Sequence, residues 1–288
     1  MTGSIESVLP FVAALALAAL RWLPALVLVP VLAGHALSGA ARTVAVLALA
    51  LPAAPGVAAA LAHAPLPLVQ WLALAAKETL LGSLLAALIA VPFWAIEAAG
   101  TYLDYQRGGN PQALDPGMFA EASILGTVLR QALIVFLIHQ GALHAMLDII
   151  ASSYVVWPTV AALPPLGPDA WEPFGVLLAA AMRFALILAA PYLLALAAIE
   201  ACFALLSRVN AKFPAYVAAL PFKSVVLVSL LALTLPRLLP AAGDLAGRHD
   251  QAVRRTLLDA AGDRWASGDG SSGQSARRSP PEPEPPPR

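Results

Sequence analysis

Charged residues are scarce in this 288-residue chain, because Asp, Glu, Lys and Arg together make up only 12% of it. Soluble domains carry about 25% charged residues. This sequence is instead 60% hydrophobic, with a mean hydropathy of +0.78. A soluble fold of this size would have too few polar side chains to cover its surface. The composition therefore excludes an ordinary soluble domain and predicts an integral membrane protein.

Three further absences from the sequence exclude whole classes of function. The single cysteine, Cys202, excludes an intrachain disulfide and a cysteine metal cluster, and its apolar surroundings indicate a small buried hydrophobe. The formal net charge is zero, so no global field would attract nucleic acid. The motifs of metalloproteases, serine hydrolases, phosphate-binding loops and dinucleotide-binding folds are missing. We therefore expect no enzymatic activity, no cofactor or metal, and no nucleic-acid partner.

Six apolar stretches account for most of the chain, and most are near the roughly 20 residues that a helix needs to cross a bilayer. They are rich in Ala and Leu and show no sustained alternation, so the predicted fold class is all-α rather than a β-barrel. The first follows Glu6 without a preceding Lys or Arg, which is unlike a signal peptide and indicates a retained membrane helix. The stretches are Val8–Ala33, Val44–Ala62, Leu66–Glu97, Ile124–Ser153, Phe174–Leu206 and Val217–Leu239.

Prolines interrupt several of these stretches, and each removes a backbone donor and crowds the preceding turn. We expect kinked or broken helical hairpins. They would reflect either ordinary tolerance of proline in membrane helices or broken helices that pack inside an assembly. The interrupting residues are Pro24, Pro30, Pro52, Pro55, Pro191 and Pro221.

Turn signals and composition divide the rest of the chain. Tyr105–Glu121, Thr159–Pro173 and Arg208–Lys212 are predicted connections, because they are rich in Gly, Pro, Asn or polar residues. From Pro240 onward Gly, Ser, Arg, Asp and Pro replace Ala and Leu. We therefore expect a membrane-embedded helical domain over residues 1–239. The tail over residues 240–288 should be mostly disordered, with a short helix around Gln251–Ala261.

The basic residues do not define a simple serpentine topology. Arg208 and Lys212 favour a cytoplasmic loop before the last apolar stretch. The tail, with Arg248, Arg254 and Arg255, also favours the cytoplasm, although one full crossing would put the two regions on opposite sides. Either one segment is a re-entrant hairpin, or the protein does not cross the bilayer as a simple serpentine.

The segment from Pro92 to Gly108 carries a stripe of small and polar residues at helical spacing. Small residues let another helix approach closely, polar ones can hydrogen-bond across, and Asp104 can pair with Arg107. A charge at mid-bilayer costs about 2.5–3.5 kcal/mol, so we expect the stripe to face partner helices or a water-filled path. Its members are Glu97, Gly100, Thr101, Asp104, Arg107 and Gly108.

Other polar residues also lie inside apolar stretches. Lys77 and Glu78 are adjacent, so they should point in different directions on a helix, and both could lie near a helix end. His144 and Asp148 share a helix face at four-residue spacing, which favours a hydrogen-bonded structural pair over a proton relay. Two ligands alone do not make a metal site.

Two runs of residues resemble a known family. The first is Phe93-Trp94-Ala95-Ile96-Glu97-Ala98-Ala99-Gly100, continuing through Asp104, Gln106-Arg107-Gly108 and Asp115-Pro116. The second is Ser207-Arg208-Val209-Asn210, followed by Phe213-Pro214-Ala215-Tyr216 and Pro221-Phe222-Lys223-Ser224. Together they resemble the type III secretion family SctT, also called YscT, HrcT or SpaR, which is related to the flagellar export protein FliR. Lys77-Glu78 also fits, and the resemblance extends over about Phe11 to Leu239.

The resemblance implies a structural subunit of an export gate in the bacterial inner membrane, built from helical hairpins. Such proteins assemble with R-type and S-type subunits, alongside the U-type switch and V-type export proteins. The assembly forms the entrance pore for unfolded secreted proteins. Much of it is lifted toward the periplasmic side of the membrane, which would account for the unresolved topology.

The resemblance also implies roles for both runs at a subunit interface or the pore. The stripe from Glu97 to Gly108 would pack against neighbouring subunits or line the closed pore, and the second run would lie near the cytoplasmic entrance. Beyond the stripe, the residues implied are Gln106, Arg208, Asn210, Pro214, Pro221 and Lys223.

Three alternatives stand beside this reading. A proton-coupled secondary transporter of a small solute would use the same intramembrane charges and broken helices, although no internal repeat is visible. A flagellar FliR-type export protein would share both runs, but Trp94 and Gln106-Arg107-Gly108 favour the secretion branch. A membrane-embedded hydrolase is disfavoured because no nucleophile and base can be paired.

Overall fold

The computed structural model of the protein describes residues 2–33, 39–62, 67–108, 123–161, 172–210, 212 and 214–268. Within these ranges all regular secondary structure is helical, which confirms the predicted all-α fold. The helices are α1 (Thr2–Trp22), α2 (Ala25–Leu28), α3 (Gly39–Ala50), α4 (Ala54–Leu61), α5 (Leu68–Gln106), α6 (Ile124–His139), α7 (Ala142–Val156), α8 (Glu172–Val209) and α9 (Ala215–Gly268).

Parts of the predicted connections lie outside the described residues. These parts are residues 109–121, 162–171 and 211, and residues 122 and 213 beside them also lie outside the described ranges. Asp115, Pro116 and Phe213 of the two sequence runs are therefore not described. Of the predicted tail, residues 269–288 also lie outside them.

The six predicted apolar stretches correspond to four long spans and two bent helix pairs. The bent pairs are α3 with α4, which meet at 68°, and α6 with α7, which meet at 84°. Counting each bent pair as one broken span gives six spans among the described residues, in agreement with the sequence. The long spans are Leu9–Leu28, Leu68–Gln106, Gly175–Val209 and Ala215–Leu257.

Proline breaks some helices and not others. Pro24 lies between α1 and α2, and Pro52 between α3 and α4, where a missing backbone donor leaves no helical hydrogen bond unmade. Pro92, Pro191 and Pro221 instead lie inside α5, α8 and α9, which continue past them. The long helices α5, α8 and α9 therefore accommodate an internal proline, as membrane helices commonly do.

The last helix extends beyond the predicted boundary at residue 240. α9 continues without a break from Ala215 to Gly268, so it includes the short helix predicted around Gln251–Ala261. The extension packs on α5, α6 and α7, and this tertiary burial outweighs its polar composition. Its buried apolar residues recur at helical spacing and are Ala242, Ala246, Val253 and Leu257.

α5 is the central helix of the molecule, with contacts to α1, α6, α8 and α9. Leu85, Ile89 and Ile96 are almost completely buried along it. α8 and α9 pair with each other more extensively than with the rest, and the helices that the structure describes leave one face of the pair open. Cys202 lies on α8 and is exposed, so the prediction that it is buried is wrong. Among the described residues, only the inner face of α8 is covered by other helices.

Candidate functional site

The polar stripe of α5 faces α6. A Cβ atom on Gly100 would lie 2.6 Å from the Cα atom of Gly126, so the two backbones cross almost in contact. The Thr101 hydroxyl donates to the Glu97 carbonyl at 2.8 Å, and a Cβ atom on Gly126 would lie 2.7 Å from that hydroxyl oxygen. The small residues predicted to admit another helix therefore admit a helix of the same chain.

Asp104 joins the end of α5 to the start of α6. Its buried carboxylate accepts hydrogen bonds through Oδ2 from the Ser123 hydroxyl at 2.6 Å and the Leu125 N–H at 2.8 Å. Through Oδ1 it accepts from Arg107 Nε at 2.7 Å, which confirms the predicted pair. Ser123 in turn caps α6 by accepting from the Gly126 N–H. A carboxylate at this position satisfies a free amide and neutralises the positive end of the helix dipole.

Glu97 forms an ion pair with α6. Its Oε1 atom lies 2.7 Å from Arg130 Nη1, and the two side chains are 29% and 27% exposed. Because both side chains are partly exposed, we expect the pair to orient α6 more than to stabilise the fold. The partner could not be assigned from the sequence, since Arg130 lies on a different helix.

The two sequence runs meet at the end of α5. The buried Lys223 Nζ donates to the Gln106 carbonyl at 3.4 Å and to Glu200 Oε2 at 2.8 Å, although Lys223 and Gln106 are 117 residues apart. Gly108 has φ +86°, a conformation that glycine adopts without strain, and a Cβ atom there would clash with the Leu220 side chain. The second run is therefore held against the last turn of the first.

The remaining predicted residues of the second run lie on the surface. Arg208 and Asn210 are exposed at the end of α8, and Pro214 and Pro221 are exposed at the start of α9. The Asn210 side-chain oxygen accepts from the Lys212 N–H at 3.2 Å, which shapes the turn. The structure thus separates the predicted site into a packed part on α5 and an exposed part at the α8–α9 turn.

A buried ionic cluster joins α1, α5 and α7, and its arginine lies outside both sequence runs. Arg21 and Glu78 are fully buried and form a bidentate pair, with Nε–Oε2 2.7 Å and Nη2–Oε1 2.9 Å. The guanidinium also donates to the Ser153 hydroxyl and the Trp157 carbonyl, and lies 4.2 Å from the centre of the Tyr154 ring. Arg21 is the only charge in the first apolar stretch, and this isolation is the signal that indicates a buried partner.

Lys77 extends the same cluster. Its Nζ atom lies 3.1 Å from Glu78 Oε1 and donates to the carbonyls of Pro158, Thr159 and Ala161, which follow α7. The alternative that Lys77 and Glu78 lie near a helix end is therefore wrong. Both lie well inside α5, and the flexible lysine side chain reaches back to the carboxylate of its neighbour.

The predicted pair of His144 and Asp148 is also wrong. Asp148 Oδ2 lies 2.5 Å from Arg254 Nη1, and in the described part of the chain His144 does not share this carboxylate. The extension of α9 supplies a permanently charged guanidinium, which is a stronger partner than an imidazole. The same described residues contain no group of three or more His, Cys, Asp or Glu that could hold a metal ion.

Comparisons with known proteins agree with this architecture. The family described as bacterial export proteins, family 1, matches residues 12–248. The chain is 33% identical over 213 residues to the Yop proteins translocation protein T of Yersinia pestis, covering 73% of this chain and 81% of the relative. It is 30% identical over 231 residues to the surface presentation of antigens protein SpaR of Salmonella typhimurium, covering 80% and 85%. The flagellar biosynthetic protein FliR of Bacillus subtilis is 25% identical over 159 residues, which is 54% of this chain and 60% of FliR.

The fold and these matches define a multi-pass, all-helical membrane component of bacterial protein export. The chain belongs to the bacterial export proteins, family 1, and the resemblance to the SctT and FliR proteins is confirmed. It is accordingly a protein of the bacterial inner membrane.

Proposed function

We propose that the protein is a structural, non-catalytic subunit of a type III secretion export gate, which assembles with R-type and S-type subunits into the entrance pore for unfolded secreted proteins. The observation that carries this proposal is the meeting of the two sequence runs at one end of α5, beside an exposed turn. Lys223 contacts Gln106 there, and Arg208 is open to a partner. An exposed polar turn suits attachment to other subunits better than chemistry on a small molecule.

The contacts divide the predicted site residues between two roles. The stripe residues brace α5 against α6 and α9 in the described part of the chain, so their proposed role is to fix the shape of the subunit where it borders the pore. Exposed residues take the proposed role of contacting neighbouring subunits, including the U-type switch and V-type export proteins, near the cytoplasmic entrance. The first group is Glu97, Gly100, Thr101, Asp104, Arg107 and Gly108, and the second is Arg208, Asn210, Pro214 and Pro221.

The degree of similarity supports the secretion branch over the flagellar one. The translocation protein T and SpaR relatives are more identical to this chain than FliR and match more of its length. We therefore propose a virulence-type secretion system as the setting, with part of the complex lifted toward the periplasmic side of the membrane.

Co-expression tests the assembly directly. A tagged copy of the chain is expressed with candidate R-type and S-type subunits, extracted in detergent and measured by native mass spectrometry. We expect a hetero-oligomer of defined stoichiometry. Arg208→Glu should weaken the assembly and reduce secretion of a reporter protein, because it reverses the charge of the exposed turn. Arg255→Glu, which reverses an equally exposed charge on the extension of α9, is the matched control and should leave both unchanged.

Two outcomes would overturn the proposal. A chain that remains monomeric or homodimeric in the presence of both partners is not a gate subunit. If such a chain also moved a solute in response to a proton gradient in liposomes, a secondary transporter would replace the gate. Equal effects of the two charge reversals would show that the α8–α9 turn is not a specific contact.

A further inference from the structure

Pro92 leaves a gap in the backbone hydrogen bonding of α5. In an α-helix each N–H donates to the carbonyl four residues earlier, and proline has no N–H. The carbonyl of Leu88 therefore lacks the donor that the helix would otherwise supply at residue 92. Leu88 is only 6% exposed and Pro92 is also buried, so water has little access to this carbonyl. A buried carbonyl without a partner destabilises a fold, so its donor has to come from another helix.

The donor comes from the extension of α9, residues 240–268. The Nε2 atom of His249 lies 2.7 Å from the Leu88 carbonyl oxygen, and because a carbonyl oxygen only accepts, the imidazole donates. His249 is 6% exposed and lies between Ala246 and Val253 in the line of buried residues on this face. A polar side chain thus takes a place in an otherwise apolar line, at the point where α5 has an unpaired acceptor.

Two other prolines inside long helices lie at exposed positions. Pro191 on α8 and Pro221 on α9 each remove a backbone donor in the same way. The residues four positions earlier, Ile187 and Val217, are 59% and 63% exposed. Of these three gaps, only the one at Pro92 is therefore enclosed by the fold, and an inward-facing donor is needed only there.

The extension of α9 also contacts both arms of the bent pair α6 and α7. Gly243 lies against the Phe136 ring near the end of α6, where a Cβ atom would be 2.5 Å from a ring carbon. Arg254 forms its ion pair with Asp148 on α7. The His249 contact with α5 lies between these two contacts along the chain. One helical segment therefore joins α5, α6 and α7.

The rest of this interface is weak. The ion pair with α7 is about half exposed, so it contributes little to docking. Asp250 Oδ1 is buried and has no hydrogen-bond partner among the described residues, which disfavours docking. The hydrogen bond from His249 is therefore a large part of what holds the extension. Two of its four buried apolar side chains are alanines, and the four are Ala242, Ala246, Val253 and Leu257.

We propose that the extension of α9 is a releasable latch on α5, closed by the hydrogen bond from His249 to the carbonyl that Pro92 leaves unpaired. With the latch closed, α5 is rigid at Pro92 and the bent pair α6 and α7 is held beside it. With the latch open, α5 flexes at its proline, and the polar stripe begins only five residues farther along, at Glu97.

The latch is not implied by the proposed export role or by the family. It rests on contacts within this chain. His249 lies just beyond residues 12–248, which the family matches, so membership of that family does not by itself supply the donor.

Hydrogen–deuterium exchange of the full chain in lipid nanodiscs tests the latch. His249→Leu removes the donor and keeps a large apolar side chain. Amide exchange should become about tenfold faster over residues 241–257 of α9 and over residues 89–96 of α5, because a buried hydrogen bond is lost. His249→Gln retains an N–H donor and should recover most of the protection. Arg248→Leu changes the neighbouring, exposed position, so this matched control should leave exchange unchanged.

Pro92→Ala separates the latch from simple packing of the imidazole. Alanine restores the N–H that pairs with the Leu88 carbonyl inside α5, so His249 is no longer needed there. In the Pro92→Ala background, His249→Leu should change exchange over residues 89–96 by less than about twofold, which is the scatter expected of uncoupled sites. The dependence of one substitution on the other is the signature of the latch.

Two results would overturn the proposal. Unchanged exchange in His249→Leu would mean that His249 does not hold the extension. Equal acceleration with Pro92 and with Pro92→Ala would mean that the imidazole acts by packing and not by filling the gap. If His249→Leu unfolds the chain, the same comparison still decides. Recovery of the folded chain by Pro92→Ala supports the latch, and a failure to recover contradicts it.

Discussion

Charged side chains are buried and paired around α5, whereas on the α8–α9 hairpin several are exposed. Arg21, Lys77 and Glu78 are buried together between α1, α5 and α7, whereas Arg183 on α8 and Arg237 on α9 are exposed. A buried charge needs its partners within the fold, because an uncompensated one costs several kcal/mol. An exposed charge can take its partners from the surroundings. In the described part of the chain, the α5 region therefore pairs its buried charges internally, whereas the two hairpin arginines form no ion pair.

Removing the buried carboxylate should give the largest effect in this comparison. Glu78→Ala would leave Arg21 and Lys77 buried without a counter-charge, and we expect a loss of about 3–5 kcal/mol of stability. Asp148→Ala is the matched control, because Asp148 and Arg254 are each about half exposed, and we expect a loss of at most about 1 kcal/mol. Thermal unfolding in detergent measures both variants. Equal losses would show that the buried cluster is not a special stabilising feature.

Shortening an apolar side chain should reduce stability much more around α5 than on the α8–α9 hairpin. Ile89→Ala removes a completely buried side chain from α5 and should cost about 2–5 kcal/mol, because the packed neighbours leave a cavity. Leu194→Ala on the hairpin removes a side chain that is 72% exposed and should change stability by less than about 0.5 kcal/mol. Both variants are compared by the same unfolding measurement. A large loss for Leu194→Ala in the isolated subunit would mean that α8 is packed more tightly than the structure shows.

The close crossing of α5 and α6 at Gly100 should leave no room for an added methyl group. Gly100→Ala places a methyl group against the backbone of Gly126, and we expect a loss of about 1–3 kcal/mol because α5 and α6 must move apart. Gly247→Ala is the control, since nothing lies within 4 Å of the added atom and alanine favours a helix. The control should be neutral or slightly stabilising. A neutral Gly100→Ala would show that the crossing is looser than described.

The smallest effect should come from neutralising the cap of α6. Asp104→Asn keeps an acceptor for the Leu125 N–H but loses the charge that pairs with Arg107, and we expect a loss of about 1 kcal/mol. Arg107→Gln should cost less, because its side chain is partly exposed. In the double variant the losses should sum to less than the two single losses, which a double-mutant cycle measures. Strict additivity would show that the two side chains do not interact.

Helical spacing in the sequence predicted one pair of polar residues correctly and another pair wrongly. The pair of Asp104 and Arg107 follows from one turn of helix, and the structure confirms it. The pair of His144 and Asp148 was predicted from the same kind of spacing, but α9 brings Arg254 to that carboxylate instead. Contacts within one turn compete with contacts from other helices, and the sequence does not show which helix will be near.

The buried cluster shows the same limit more strongly. Arg21 and Glu78 are 57 residues apart, and the Ser153 hydroxyl that completes the cluster is 132 residues from Arg21. A lone charge in an apolar stretch indicates that a partner exists, because an unpaired charge in hydrocarbon is costly. It does not identify the partner, which depends on how α1, α5 and α7 pack.

The sequence by itself determined the class of fold, the six apolar spans and the family. Each of these depends on composition, on runs of about 20 residues or on residues close together in the chain. Tertiary structure alone decided which charges on different helices pair, which face of α5 meets α6, how far α9 continues and which surface of the described residues stays open. These features depend on contacts between distant parts of the chain. Apolar periodicity marks a helix as able to pack, but only packing selects its neighbours.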